Sequence, residues 1–338
     1  MNRPGSRVVV ERLESRILRS NPLGDPFVRD LPVYLPPSYY NSNTEYPVVL
    51  CLSGFTGSGW SWFNFQAWIP TIDERMDSLV ASGIPEMILV FPDCFTRYGG
   101  SQYLDSPAVG DYRSYLTEEV LPFVDQMYRT KKDRRFRGVL GKSSGGFGAI
   151  SLAMERPELF SAVACHSGDM YFEYCYIPDF PPAFRLLQKH GGLQQVLEKF
   201  DQIPKTGKED HALLNTLAMS ACYSPNPDNK PALFDLPVDE ETGKMRDRIW
   251  KKWKKLDPVE VVKTKGKNLS DYGLVYIDCG NRDEFGLMVG SKMFVKELKK
   301  LGIPHSYEEF DGGHFHIQNR YDTSLRKMAE YFAGLGSS

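Results

Sequence analysis

No stretch of this 338-residue chain is apolar for long enough to cross a bilayer, which excludes a membrane-spanning helix. The opening residues, Met1-Asn2-Arg3-Pro4-Gly5-Ser6, lack the apolar core of a secretory signal, and a cytoplasmic protein is expected. Charge of one sign is also missing. The net charge is −2, so nothing favours nucleic acid or an anionic membrane surface as a partner. The six cysteines (Cys51, Cys94, Cys165, Cys175, Cys222 and Cys279) form no CxxC pair. That leaves little support for zinc or a disulfide framework. Four of them, Cys51, Cys94, Cys165 and Cys279, lie in or beside apolar segments and read as small buried hydrophobes of a reduced compartment. Internal repeats are absent. So is the first glycine of a phosphate loop: Gly141-Lys142-Ser143 resembles the end of that motif, but Phe136 stands where its first glycine belongs.

What is present fits one globular domain carrying an insertion. Hydrophobic residues make up 41% of the chain and charged residues 25%. Strands are expected over 7–18, 28–35, 46–52, 86–91, 138–141, 160–166, 274–278 and 305–310. Helices are expected over 72–81, 112–128, 147–154, 288–301 and 324–332. After the opening strands, this alternation predicts an α/β fold with a mostly parallel central sheet flanked by helices, and a ligand site at the carboxyl ends of its strands. Residues 168–267 break the alternation and are rich in Pro, Tyr, Phe and Lys. They are too long for a loop and read as an inserted helical cap over that edge. The alternative is an insertion packed to one side. The lysines of Lys251-Lys252-Trp253-Lys254-Lys255 read as a solvated helix face.

The chemistry is carried by Gly141-Lys142-Ser143-Ser144-Gly145-Gly146. A Gly-x-Ser-x-Gly turn between a buried strand and a helix strains the central serine, and small neighbours at 141 and 145 avoid clashes. A serine hydroxyl needs a base, and the base needs an acid to hold it. In hydrolases of this type the chain order is Ser, then Asp or Glu, then His. Asp283, in the loop beyond the strand ending at Asp278, is the favoured acid, with Glu284 and Asp278 as alternatives. His314, after Gly312-Gly313, is the favoured base, with His316 as its competitor; two histidines without a third ligand are weak evidence for a metal. The remaining histidines, His166, His190, His211 and His305, read as structural. An oxyanion requires two preorganised N–H donors. Ser144 should supply one and Phe55, in the glycine loop Ser53-Gly54-Phe55, the other. Gly54 would let that backbone approach the substrate. Trp60 and Trp62, with Phe63, Phe65 and Trp68, either line a substrate pocket or pack beneath the first helix.

With these residues in hand, the chain resembles the esterase family of α/β hydrolases that includes esterase D (S-formylglutathione hydrolase), the enterochelin esterases and the antigen 85 mycolyltransferases. The resemblance runs from about Val28 to Phe332 with the insertion interrupting it. It rests on Val33-Tyr34-Leu35-Pro36-Pro37, Leu52-Ser53-Gly54-Phe55, the Gly141–Gly146 elbow, Ile277-Asp278-Cys279-Gly280 with Asp283 and Phe285, and Gly312-Gly313-His314. It implies the α/β-hydrolase fold, with Ser143 as nucleophile, Asp283 as acid, His314 as base, and the Phe55 and Ser144 amides as oxyanion hole. The insertion after His166 is larger than in esterase D, which counts against a glutathione thioester. The expectation is a serine carboxylesterase working on a small-molecule ester through an acyl-enzyme, with no metal or organic cofactor. An acyltransferase and a thioesterase are the alternatives with the same triad. The inserted segment could equally serve as a homodimer surface, and no exposed pattern in the sequence decides it.

Overall fold

The computed structural model describes residues 7–336. Ten strands form in chain order: β1 (Arg7–Glu14), β2 (Val28–Leu35), β3 (Val48–Leu52), β4 (Ile88–Val90), β5 (Asp105–Ser106), β6 (Gly110–Asp111), β7 (Arg137–Lys142), β8 (Ala162–His166), β9 (Leu274–Gly280) and β10 (Ser306–Phe310). Strands β5 and β6 make a small ribbon, and the rest form one eight-stranded sheet in the order β1-β2-β4-β3-β7-β8-β9-β10. Strand β1 runs antiparallel to β2, and β2 antiparallel to β4. From β4 to β10 every pairing is parallel. The central strands are apolar without alternation because helices cover both faces; all five residues of β3 and all five of β8 are buried.

The flanking helices are α1 (Ile72–Ala81), α2 (Tyr112–Ser114), α3 (Leu121–Met127), α4 (Ser144–Glu155), then α5 (Phe172–Cys175), α6 (Phe180–His190), α7 (Leu193–Glu198), α8 (Lys208–Tyr223), α9 (Asp247–Lys254) and α10 (Pro258–Lys265), and finally α11 (Leu287–Lys300) and α12 (Arg320–Leu335). Helix α1 occupies its expected bounds, and its start has a physical cause: Thr71 and Glu74 form a reciprocal capping box. Between α2 and α3 the helix widens into a π turn over Tyr115–Val120, so the single helix expected over 112–128 is three segments. Strand β1 stops at Glu14, short of the expected Leu18. The Glu119 carboxylate takes the amides of Arg16 (2.8 Å) and Ile17 (3.2 Å) and turns the chain off the sheet edge.

Residues between β8 and β9 are helical from α5 to α10, and α6 packs against α8. Their core is aromatic, with Trp253 fully buried against Tyr176, Phe180 and Tyr223. Lys251, Lys252 and Lys254 lie in the last turn of α9. No helix among the described residues is long and apolar enough to cross a membrane.

Candidate active site

The carboxyl ends of β3, β7, β9 and β10 bring four loops to one edge of the sheet. Strand β7 ends at Lys142, and α4 starts at Ser144. Between them Ser143 adopts φ 58° and ψ −126°, a conformation most side chains avoid. The turn is possible because its neighbours lack side chains. A Cβ at Gly145 would lie 2.0 Å from the Leu52 carbonyl oxygen, and one at Gly141 would lie 2.2 Å from that of Gly145. Gly145→Ala is therefore expected to cost about 3 kcal/mol or more through overpacking against rigid backbone. A lowered denaturant midpoint would register the loss; an unchanged midpoint would contradict this account of the elbow.

His314 is buried, and its two ring nitrogens face Ser143 and Asp283. Its Nε2 lies 3.0 Å from the Ser143 Oγ, and its Nδ1 lies 2.8 Å from the Asp283 Oδ2. The Asp283 carboxylate is fixed from behind by the amides of Phe285 (3.0 Å) and Leu287 (3.4 Å) on its Oδ1. The rings of Phe285 and Phe315 stand edge-on to the imidazole at 4.8 and 5.3 Å and hold its plane. The two other acid candidates are engaged elsewhere. Glu284 accepts the backbone N–H of His314 at 2.6 Å and so holds the loop rather than the ring. Asp278 is fully buried against His166, whose Nδ1 is 2.8 Å away, and Arg320, whose Nε donates at 2.8 Å. Burial pushes the Asp278 carboxyl up, but the imidazole of His166 and the guanidinium outweigh it and hold it below the usual carboxylate range. His316 is exposed.

The loop after β3 is pinned close to the elbow. The Tyr103 hydroxyl donates to the Ser53 carbonyl at 2.5 Å, the Ser53 hydroxyl donates to the Ser58 carbonyl at 2.7 Å, and the Thr56 amide donates to the Gly99 carbonyl at 2.8 Å. A Cβ at Gly54 would sit 3.5 Å from that of Ser143. Among the described residues the Phe55 amide has no hydrogen-bond acceptor, and the Ser144 amide, at the first position of α4, has none within the helix. The Phe55 ring meets His211 of α8 at 5.6 Å, and His211 meets Phe285 at 6.4 Å, so a helix of the inserted segment reaches this edge.

The two tryptophans expected at a substrate pocket part company. Trp62 lines a cleft of about 390 Å³ beside Gly54, Phe55 and Lys142. Trp60 turns the other way, where its indole N–H donates to Asp30 at 3.1 Å and it shares a shallower groove with Phe63, Phe65 and Trp68.

Sequence reasoning missed Asp169. Its buried carboxylate lies 3.4 Å from the Ser143 Oγ and accepts from the Ser144 hydroxyl (3.0 Å), the Tyr176 hydroxyl (2.9 Å) and the Gln102 amide (3.2 Å). Burial lifts its carboxyl above the ordinary aspartate value, against the pull of those donors and of His314. No motif marks it. The one signal was its place just after β8, the strand beside the elbow.

With the geometry in place, the chain can be set beside known proteins. The profile of the family described as "Putative esterase" matches residues 28–329. The chain belongs to that esterase family. An esterase of Mycobacterium tuberculosis is 24% identical over 288 residues, covering 83% of this chain and 51% of that protein. The chain spans about half the length of the curated relatives it matches. Among solved structures, a ferulic acid esterase superposes with a TM-score of 0.63 at 22% identity, covering 98% of this chain and all of that one. An S-formylglutathione hydrolase from Agrobacterium tumefaciens superposes at 0.58 and 18% identity, covering 97% of this chain and 96% of that one. These likenesses show the fold: the sheet and helices of this family member are those of the α/β hydrolases.

Proposed function

We propose that this esterase-family member is a serine carboxylesterase that cleaves a small-molecule ester through an acyl-enzyme. Ser143 attacks the ester carbonyl while its proton passes to Nε2 of His314. Asp283 holds the imidazole in the tautomer that can accept that proton and stabilises the imidazolium that forms. The amides of Phe55 and Ser144 donate to the oxyanion. The imidazolium then gives its proton to the departing alcohol, and water activated by the same nitrogen releases the acid. One observation carries this reading: the unbroken contact chain from Ser143 Oγ through both nitrogens of His314 to Asp283, at 3.0 and 2.8 Å.

The helices of residues 168–267 act as a cap of the same domain, a reading supported by the reach of His211 to Phe55 and Phe285. Six free, buried cysteines fit a reduced, cytoplasmic setting.

The direct test is turnover of p-nitrophenyl esters of short and medium acyl chains, with the released acid quantified. Steady release of free acid is expected. Folded protein that releases none would overturn the assignment, and new ester formed from added alcohol in place of acid would replace it with acyl transfer.

A further inference from the structure

The cleft beside the elbow is lined by Ser53 to Gly57, by Trp62 and the 64–72 segment, by Arg75 and Lys142, and by Ile317, Gln318 and Tyr321. Among the described residues that line it, the charged ones are two cations and none is an acid. Two N–H groups of lining residues are unpartnered but closed off from solvent: Nε of Arg75, a residue 9% exposed, and the indole Nε1 of Trp62. The other end of the Arg75 guanidinium is taken, since its Nη1 donates to both oxygens of Asp322 at 3.1 and 3.0 Å. Lys142 makes no hydrogen bond or ion pair among the described residues. Its ammonium lies 5.3 Å over the Phe315 ring, next to His314. Burial pulls that ammonium below the ordinary lysine value against the pull of Asp283, Asp169 and Glu284. Those three carboxylates are committed to His314, to the Ser144, Tyr176 and Gln102 donors, and to the His314 backbone amide respectively.

Leaving a half-buried cation without a partner is costly, and an anion bound in the cleft would supply one. We propose that this cleft binds a carboxylate carried by the substrate, with Lys142 supplying the partner charge and Arg75 adding to the positive potential of the lining. The cleft adjoins Gly54 and the nucleophile, so the carboxylate belongs to the same molecule as the scissile ester. The substrate class is then the half-ester of a dicarboxylic acid, or an ester of a hydroxy acid. The position of the scissile bond rests on the esterase reading; the anion site itself does not.

The test compares mono-p-nitrophenyl adipate with p-nitrophenyl hexanoate, which share a six-carbon acyl chain and differ in the terminal carboxylate. The adipate ester is expected to have the higher kcat/KM by about ten- to a hundredfold, the range of a charge-assisted contact. High salt should shrink that ratio in the unmodified protein. Lys142→Met should reduce the ratio to within about threefold of unity, and Lys142→Arg should keep most of it; reading a ratio cancels any general loss of turnover next to Ser143. Titration of adipate by calorimetry gives a readout without catalysis, with binding expected to the unmodified protein and lost in Lys142→Met. Hexanoate ester turned over as fast as the adipate ester, with no adipate binding, would overturn the carboxylate site and leave the esterase standing. Adipate binding that depends on Lys142, with neither ester turned over, would keep the site and remove the esterase. If Lys142→Met fails to fold, the salt dependence and the titration on the unmodified protein decide: a salt-insensitive ratio near unity with no binding sinks the proposal.

Discussion

Ser143→Ala is expected to lower kcat on any ester substrate by a factor on the order of 10⁴ or more, leaving only what the oxyanion donors and binding supply. The change removes one oxygen from a half-buried side chain. It leaves the elbow's backbone bonds intact, including the Ser143 amide to the His166 carbonyl at 3.0 Å. Stability should move by less than about 1 kcal/mol. Steady-state rates on p-nitrophenyl esters, with a denaturation curve on the same preparation, measure both. A mutant retaining most of the wild-type rate would mean that another group attacks the carbonyl.

The second large effect separates Asp283, the favoured acid, from its alternative Asp278. Asp283→Asn should lower kcat by roughly 10³- to 10⁴-fold with the fold retained. The asparagine oxygen can keep the Phe285 and Leu287 amides, which puts its NH₂ opposite Nδ1 of His314. That selects the tautomer with a proton on Nε2, which cannot accept one from Ser143. Asp278→Asn should do the opposite. Its oxygens serve His166 on one side and Arg320 and Tyr276 on the other, all donors to a fully buried group. An amide can keep Arg320 and Tyr276 on its oxygen only by turning its NH₂ to His166, which moves the imidazole proton to Nε2 facing Ser324, and it still removes the buried charge that pairs with Arg320. A loss of about 3–5 kcal/mol in stability is expected, with turnover per folded molecule preserved. Kinetics and unfolding measured on both variants check the pair. A large kinetic loss in Asp278→Asn with normal stability would exchange their roles.

The fold was readable wherever local chemistry decides structure. The parallel strands β3 and β4 appear as unbroken apolar runs, β2 and α1 fall on their expected bounds, and the Thr71/Glu74 box marks where α1 begins. What escaped depends on contacts distant in sequence. Strand β1 ends early because of Glu119, more than a hundred residues on. Asp169 gathers donors from Gln102 and Tyr176, which no spacing connects. Of the three carboxylates between Asp278 and Glu284, position in the loop already favours Asp283, and the structure gives each a different partner. Trp60 and Trp62 lie two apart in one 3₁₀ turn (Gly59–Phe63), whose three-residue period points one towards the cleft and the other towards Asp30. In the sequence Lys142 figures only within the elbow motif and in the rejected phosphate-loop comparison, and its lack of a partner is visible only once the neighbouring acids are seen to be taken.

The activated state of Ser143 is most directly tested by incubating the folded protein with a fluorophosphonate, recording its intact mass and mapping the modified peptide. One adduct per chain, on Ser143, that disappears in Asp283→Asn is the expected result. No adduct, or one on a different residue, would contradict the assignment of Ser143, His314 and Asp283 as the catalytic group.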